Sequence, residues 1–382
     1  MRGGRWANRP IHSGRLERWL GASEVERISK AMQGWYGGPI PVGNVPGRVF
    51  AHADGDFSGV LHGSKADSLL MHALARTSAL LRRIQSASRH WSLGQRRQLN
   101  AGFASLSDLI AESTAGKQRI FRFCKTSGTE VVSSGYSLWR LGAVPVAGGA
   151  GAAPVAGTAQ VDSDQGANVF TNPTGGDTQH LVRVDYLSSV ISKTLLLYDR
   201  IYSVAKTASS TGAESVTGVP TRYQGVAGAV DGADNNFAFP EVGSSNLGAT
   251  GHNWDIMQYR DQDGNDAQSA ASIAGRSGAL ADNIDLVLGR WYLPLLSGDT
   301  GVKDFASLKT DASVTGALNW VIGHPLAWLP CPVASLGFVL DGINSAFNLA
   351  RIFDDAALAL LSIFPAATSA TTYDVQVTTV AG

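Results

Sequence analysis

With 382 residues, 44% of them hydrophobic and 16% charged, the chain can bury ample core, which excludes a disordered scaffold and favours two domains over one. Its formal charge of zero is not local: 19 Lys and Arg stand against 8 Asp and Glu up to position 125, and 12 against 23 beyond it. A part carrying +11 beside a part carrying −11 describes a chain anchored at one end to an anionic surface, and two cysteines 207 residues apart exclude a disulfide framework or a zinc motif.

The opening MRGGRWANRP is Arg-rich but no apolar stretch of signal-peptide length follows, so export by that route is not expected. Residues 1–62 mix Arg, Trp, Gly and Pro around GWYGGPIPVGNVPG, which forbids a long helix and predicts an extended basic arm. Leu16, Leu20 and Val25 allow a short helix within it, weakened by Gly21. Residues 63–141 read as a helical hairpin plus short strands. Leu70, Leu74, Thr77, Leu81 and Ile84 line one helical face with Arg76, Arg82 and Arg83 on the other; Leu99, Phe103, Leu106 and Ile110 line a second, with Gly116 placed as its left-handed cap.

Period-two texture begins with IFRFCK and continues through residues 131–139. The run LGAVPVAGGAGAAPVAGTAQ has little side-chain variety, so residues 142–180 read as a Gly/Ala-rich linker or loop and as the domain boundary. Residues 181–382 then offer HLVRVDYLSSV, KTLLLYDRIYSV, NFAFPEV, WDIMQYRDQDG, NIDLVLGRWYLPLL, ALNWVIGHPLAWLP and TTYDVQVTTV, separated by Gly, Asn, Asp and Ser turns. The fold class expected is mainly β: an antiparallel β-sandwich or jelly roll preceded by the arm and hairpin. FNLARIFDDAALALLSIF is read as two strands around Asp354 and Asp355, with a helix capped by Asn344 as the competing reading. The uncharged run from Gly316 to Leu340 carries Pro325, Pro330 and Pro332 and reads as buried strands and turns, so no membrane contact is expected.

No constellation assigns a catalytic, cofactor or metal residue, and the chain is not expected to be an enzyme. Asp261, Asp263, Asn265 and Asp266 alternate like calcium ligands, but glycine falls at the fourth position and Ser272 where a bidentate Glu belongs, so a hairpin turn accounts for them. His52, Asp54 and Asp56 lie around an Asp-Gly turn, and His72, His90 and His324 stand alone. STAGKQ lacks the first glycine and the terminal Ser or Thr of a phosphate loop, and no G-x-S-x-G elbow occurs. Trp254, Trp291, Trp320 and Trp328 sit inside apolar strands, where core packing outranks sugar stacking. Arg82, Arg83, Arg89, Arg96 and Arg97 surround His90 and Trp91; a protein contact ranks first for them, a solvated face second and nucleic acid third.

The succession TLLLYDRIYSV, GVPTRYQ, PLLSGDTGVKDFASLKTDASVTG and ARIFDDAALALLSIF resembles structural proteins of tailed bacteriophages, over about residues 181–382 and, less fully, over RWLGASEVERISKAMQGWYGGPIP. The resemblance implies a virion protein of capsid decoration or cement type, made in the host cytoplasm and carried on the capsid, with no catalytic or ligand residue to transfer. Its implied partners are the major capsid protein and further copies of itself, as a homotrimer by analogy with capsid cements. The contact candidates are Arg5, Arg9, Arg15, Trp35, Tyr36, Arg82, Arg83, Arg89, Arg96 and Arg97. The alternatives are a major capsid protein, a tail or fibre protein and, outside a virion, a glycan-binding β-sandwich.

Overall fold

The computed structural model describes residues 49–50, 59–60, 103, 105–149, 154–265, 268–343 and 349–382. The chain divides into two compact units, Met1–Ser92 and Leu93–Gly382. In the first, β1 (Val49–Phe50) pairs antiparallel with β2 (Gly59–Val60), Val49 opposite Val60.

The second unit opens with α1 (Leu106–Glu112), capped by the Ser105 side chain, which accepts from Asp108 N at 3.2 Å. That cap fixes the start at Leu106, later than the leucine spacing suggested. Leu109 is the buried residue, packed on Val182, Leu349 and Val380, whereas Leu106 and Ile110 of the expected face are exposed. Gly116, at φ +83°, ends the turn that follows, as expected of a left-handed glycine. The other helix of the expected hairpin lies outside the described residues.

Three antiparallel sheets make up the rest. The first runs β3 (Gln118–Thr126), β18 (Thr372–Ala381), β6 (Gln179–Ser188), with β15 (Phe338–Asp341) and β16 (Arg351–Ile352) both on the far edge of β6. The second runs β4 (Gly135–Ser137), β17 (Leu358–Pro365), β7 (Ser192–Lys206), β14 (Leu318–Cys331), β9 (Phe237–Val242), with β5 (Thr158–Ala159) also on β7. The third sets β11 (Gln268–Ser269) and β12 (Ile273–Ala274) against β10 (Asn253–Asp261), followed by β13 (Val302–Thr310) and β8 (Glu214–Ser215).

Alternation along the second sheet assigns its residues to two cores. Leu195 and Leu197 of β7, Leu358 and Leu360 of β17 and Leu329 of β14 pack with Phe123, Val184 and Val375 of the first sheet. Leu196 and Tyr198, Ala359 and Leu361, and Trp320 point the other way and pack with Trp254, Met257 and Leu308 of the third. The second sheet is therefore the middle layer of three, and a strand covered on both faces needs an uninterrupted apolar run, which is what LLLY and ALALL supply.

β16, the turn at Asp354 and Asp355, and β17 bear out the two-strand reading; Asn344 lies outside the described residues. Other expectations need correction. β3 pairs with β18 and β4 with β17, so residues 118–137 belong to the same unit as the C-terminal strands, and residues 142–180 do not divide the chain. That segment is tied to β3 and its neighbours: Lys125 Nζ donates to Leu141 O at 2.7 Å and Pro145 O at 2.5 Å, and Gly148 lies against the Trp139 indole, where a Cβ would collide with Nε1. Small residues are required there by close approach. NIDLVLGRWYLPLL forms single bridges at Asn283, to Tyr136 of β4, and at Ile284, to Glu241 of β9, and then follows β9 as irregular chain, Asp285 N donating to Pro240 O and Leu293 N to Ala238 O.

The cores also enclose charge. Arg200 on β7 donates to Glu241 on β9 at 2.6 and 3.1 Å, both side chains fully buried, and Arg222 donates to Asp199 at 2.7 and 2.9 Å. Bidentate geometry offsets much of the desolvation cost, but one member alone is a buried, unpaired charge. Arg200→Met is expected to cost about 3–5 kcal/mol, and joint replacement with Glu241→Leu to recover most of it, as read by urea unfolding of the single and double variants. Gly148→Ala is expected to cost about 1–3 kcal/mol through overpacking on Trp139, visible as a lower Tm with an unchanged far-UV spectrum.

Candidate assembly surface

All ten contact candidates, Arg5, Arg9, Arg15, Trp35, Tyr36, Arg82, Arg83, Arg89, Arg96 and Arg97, lie outside the described residues, as do His52, Asp54, Asp56, His72, His90 and Trp91. The remaining sequence candidates can be placed. Asp261 ends β10, and its carboxylate accepts from Asp263 N at 2.9 Å, Asn265 N at 3.0 Å and Asn265 Nδ2 at 2.8 Å, which makes it the organiser of the turn into β11. Lys117 of STAGKQ pairs with Glu112 and Asp177, each at 2.7 Å, so its ammonium is already committed to carboxylates. Trp254 and Trp320 are core residues in edge-to-face contact at 5.0 Å. Trp328 differs: the bulge beside Pro325 precedes a stretch in which Ala327, Leu329 and Cys331 turn inward and Trp328 stays 50% exposed. It meets Trp291, which also contacts the exposed Tyr292, so three rings form a continuous aromatic strip.

The titratable groups of the second unit's interior are sealed by packing. His252 and Asp285 are 2.8 Å apart with both side chains fully buried, and Asp285 also accepts from Trp254 Nε1 and Arg276 N. His324 stacks on Tyr223 at 4.1 Å, and burial holds its pKa down to about 4. Burial pushes the Cys331 thiol up to about 11, while Cys124 is half-buried. Glu130 is enclosed without a cation; Ser362 Oγ donates to it at 2.8 Å and Tyr373 OH at 3.0 and 3.1 Å. These groups tie layers together and reach no solvent-filled site.

The accessible geometry lies outside the sandwich. On the outer face of the first sheet, an open groove of about 600 Å³ is lined by Ile120, Arg183, Asp185, Asp341, Gln376 and Thr378, among others. Arg122 forms a two-pronged pair with Asp374 across the strands, and Arg183 forms one with Asp185 along β6. A broad face carrying both charge signs suits contact with another surface, since no described residue encloses a small molecule there. The alternation in QRIFRFCK, Phe121 and Phe123 inward and Ile120 and Arg122 outward, is visible in the sequence; that the outer side stays open is not.

No protein-family model and no curated protein matches the sequence. Among solved structures, the infectious bursal disease virus VP2 subviral particle aligns at 9% identity over 76% of this chain and 86% of that one, with a TM-score of 0.15. The human polyomavirus 6 VP1 pentamer aligns at 9% identity over 69% of this chain and 94% of that one, with a TM-score of 0.13. At such superposition neither likeness decides fold or role.

Burial, opposed by hydroxyl hydrogen bonds, raises the Glu130 pKa above the ordinary carboxylate range. The folded state then holds the proton more tightly than the unfolded one, so this group's contribution is full below its unfolded pKa and is lost as pH rises through the folded value. Glu130→Gln should therefore gain in stability relative to the native chain as pH goes from about 4 to about 7. Urea unfolding at each pH checks this; a pH-independent difference between the two chains would contradict it.

Proposed function

We propose that the chain is a non-enzymatic structural protein of a virion, binding and stabilising the head lattice as a capsid cement or decoration protein. The observation that carries this reading is the partition of charge: a basic N-terminal part joined to an acidic, β-rich part with a broad outer face. The phage resemblance of residues 181–382 supplies the setting, a tailed-phage capsid assembled in the host cytoplasm. A basic arm gains affinity by spreading contact over neighbouring subunits, and lattice repetition multiplies it. The major capsid protein is the proposed partner, and a homotrimer the proposed state. The half-exposed Trp328 beside Trp291 and Tyr292 favours a second reading, glycan binding, because exposed aromatic faces stack on sugars.

The test is binding of the purified chain to DNA-free capsids, with and without residues 1–62. Saturable binding that is lost on truncation is expected. Affinity for a glycan array, abolished by Trp328→Ala, with no capsid binding would replace the first reading with the second.

A further inference from the structure

The open edge of β3 carries a strand pairing that the chain begins and does not continue. Cys124 N donates to Val144 O at 2.8 Å and Val144 N returns a bond to Cys124 O at 3.2 Å, so the main-chain groups of Cys124 face away from β18. β3 pairs with β18 in one unshifted register from Gln118 to Thr126. In an antiparallel ladder the direction alternates, so Arg122, Ile120 and Gln118 also point their N–H and C=O groups outward. After Val144 the chain leaves the edge at Pro145, whose carbonyl is held by Lys125 Nζ. No described residue pairs with the main chain of Ile120 or Arg122 on that side, and Gln118 O accepts only from the Arg119 guanidinium, which leaves it a second lone pair.

Val144 blocks one end of this edge and the turn at Gly116 the other. Three outward-facing residues remain, and a window of three is symmetric about its middle member, Ile120. We propose that a second copy of this chain docks here, β3 against β3, around a two-fold axis through Ile120. The Ile120 pair exchanges two main-chain hydrogen bonds, and in each flanking pair Arg122 N donates to the Gln118 O of the other copy, the Gln118 N–H closing the turn on Ser113, so that the first sheets of two subunits become one. The side chains agree with that register. Ile120, 57% exposed, meets its own counterpart; Arg122 faces Gln118 and Arg119 faces Phe121, so no like charges are opposed. A bare edge with an exposed isoleucine is otherwise an invitation to uncontrolled pairing, and its bounded length limits the docking to one strand.

The role of this contact rests on the capsid reading, which it deepens. A three-fold closure makes a trimer, and a two-fold edge contact joins one trimer to the next, the pair of operators a lattice needs. A contact so short is weak singly and is held by repetition.

The test is cysteine crosslinking of the full chain in a Cys124→Ser background. Residues directly opposite in such a ladder have Cα atoms about 5.5 Å apart, within disulfide reach. Ile120→Cys should therefore give a covalent dimer on mild oxidation. Gln118→Cys alone, whose copies would lie roughly 14 Å apart along the strands, should not. Mixing the Gln118→Cys and Arg122→Cys chains should restore the crosslink. Ile120→Pro removes only an outward N–H, leaves the β18 ladder intact, and should weaken self-association in sedimentation at least tenfold, a margin set at about 1.4 kcal/mol. Equal crosslinking at positions 118 and 120, no crosslink at 120, or association unmoved by proline would overturn the proposal. A chain that crosslinks at 120 yet binds no capsid keeps the edge contact and removes the capsid reading; saturable capsid binding without the crosslink does the reverse.

Discussion

Covering both faces of β7 and β17 is the constraint from which the other features of the second unit follow. The first sheet lies against one face of the second and the third sheet against the other, so these sheets and their long connections are consequences of a middle layer. A side chain such as Leu195 or Leu361 contributes about 1.5–3 kcal/mol on burial. The same enclosure makes every polar group on those strands costly, and Arg200, Asp199 and Ser192 all carry specific partners.

The middle strands were legible because burial on both faces leaves a plain apolar run, and β6, β10 and β18 because their Gly- and Asp-bounded segments alternate. β13 was not separated from its surroundings. It pairs with β10 through three register shifts, two of which place an extra residue, Lys303 and Ala306, in β13 and break the two-residue period by which GVKDFASLKT could have been recognised. Residues 142–180 misled for a different reason. Composition records that Gly148 and Gly166 are small but not that the Trp139 indole needs them small. NIDLVLGRWYLPLL misled because a segment that follows a strand without regular pairing is as apolar as a strand within the sheet. Of the candidate assembly surface, the basic residues were visible by charge and lie outside the described residues. The open side of β3 was not, since the direction of a strand's N–H groups is set by its neighbours.

The acidic surplus after residue 125 has a structural origin that sharpens the meaning of the basic surplus before it. Asp164 accepts from Val161 N, Asp162 from Phe170 N, Asp285 from Arg276 N, Asp311 from Asn253 N and Asp341 from Ile343 N. In each case a carboxylate satisfies a main-chain N–H in irregular chain or, at Asn253, at the first residue of a strand, a task that Lys and Arg, which only donate, cannot perform. A three-layer fold with long connections therefore accumulates aspartate without needing a cationic partner. The acidic half of the charge partition therefore follows from the connections of the second unit, and the basic surplus of the first 125 residues is the half on which the proposed partner rests.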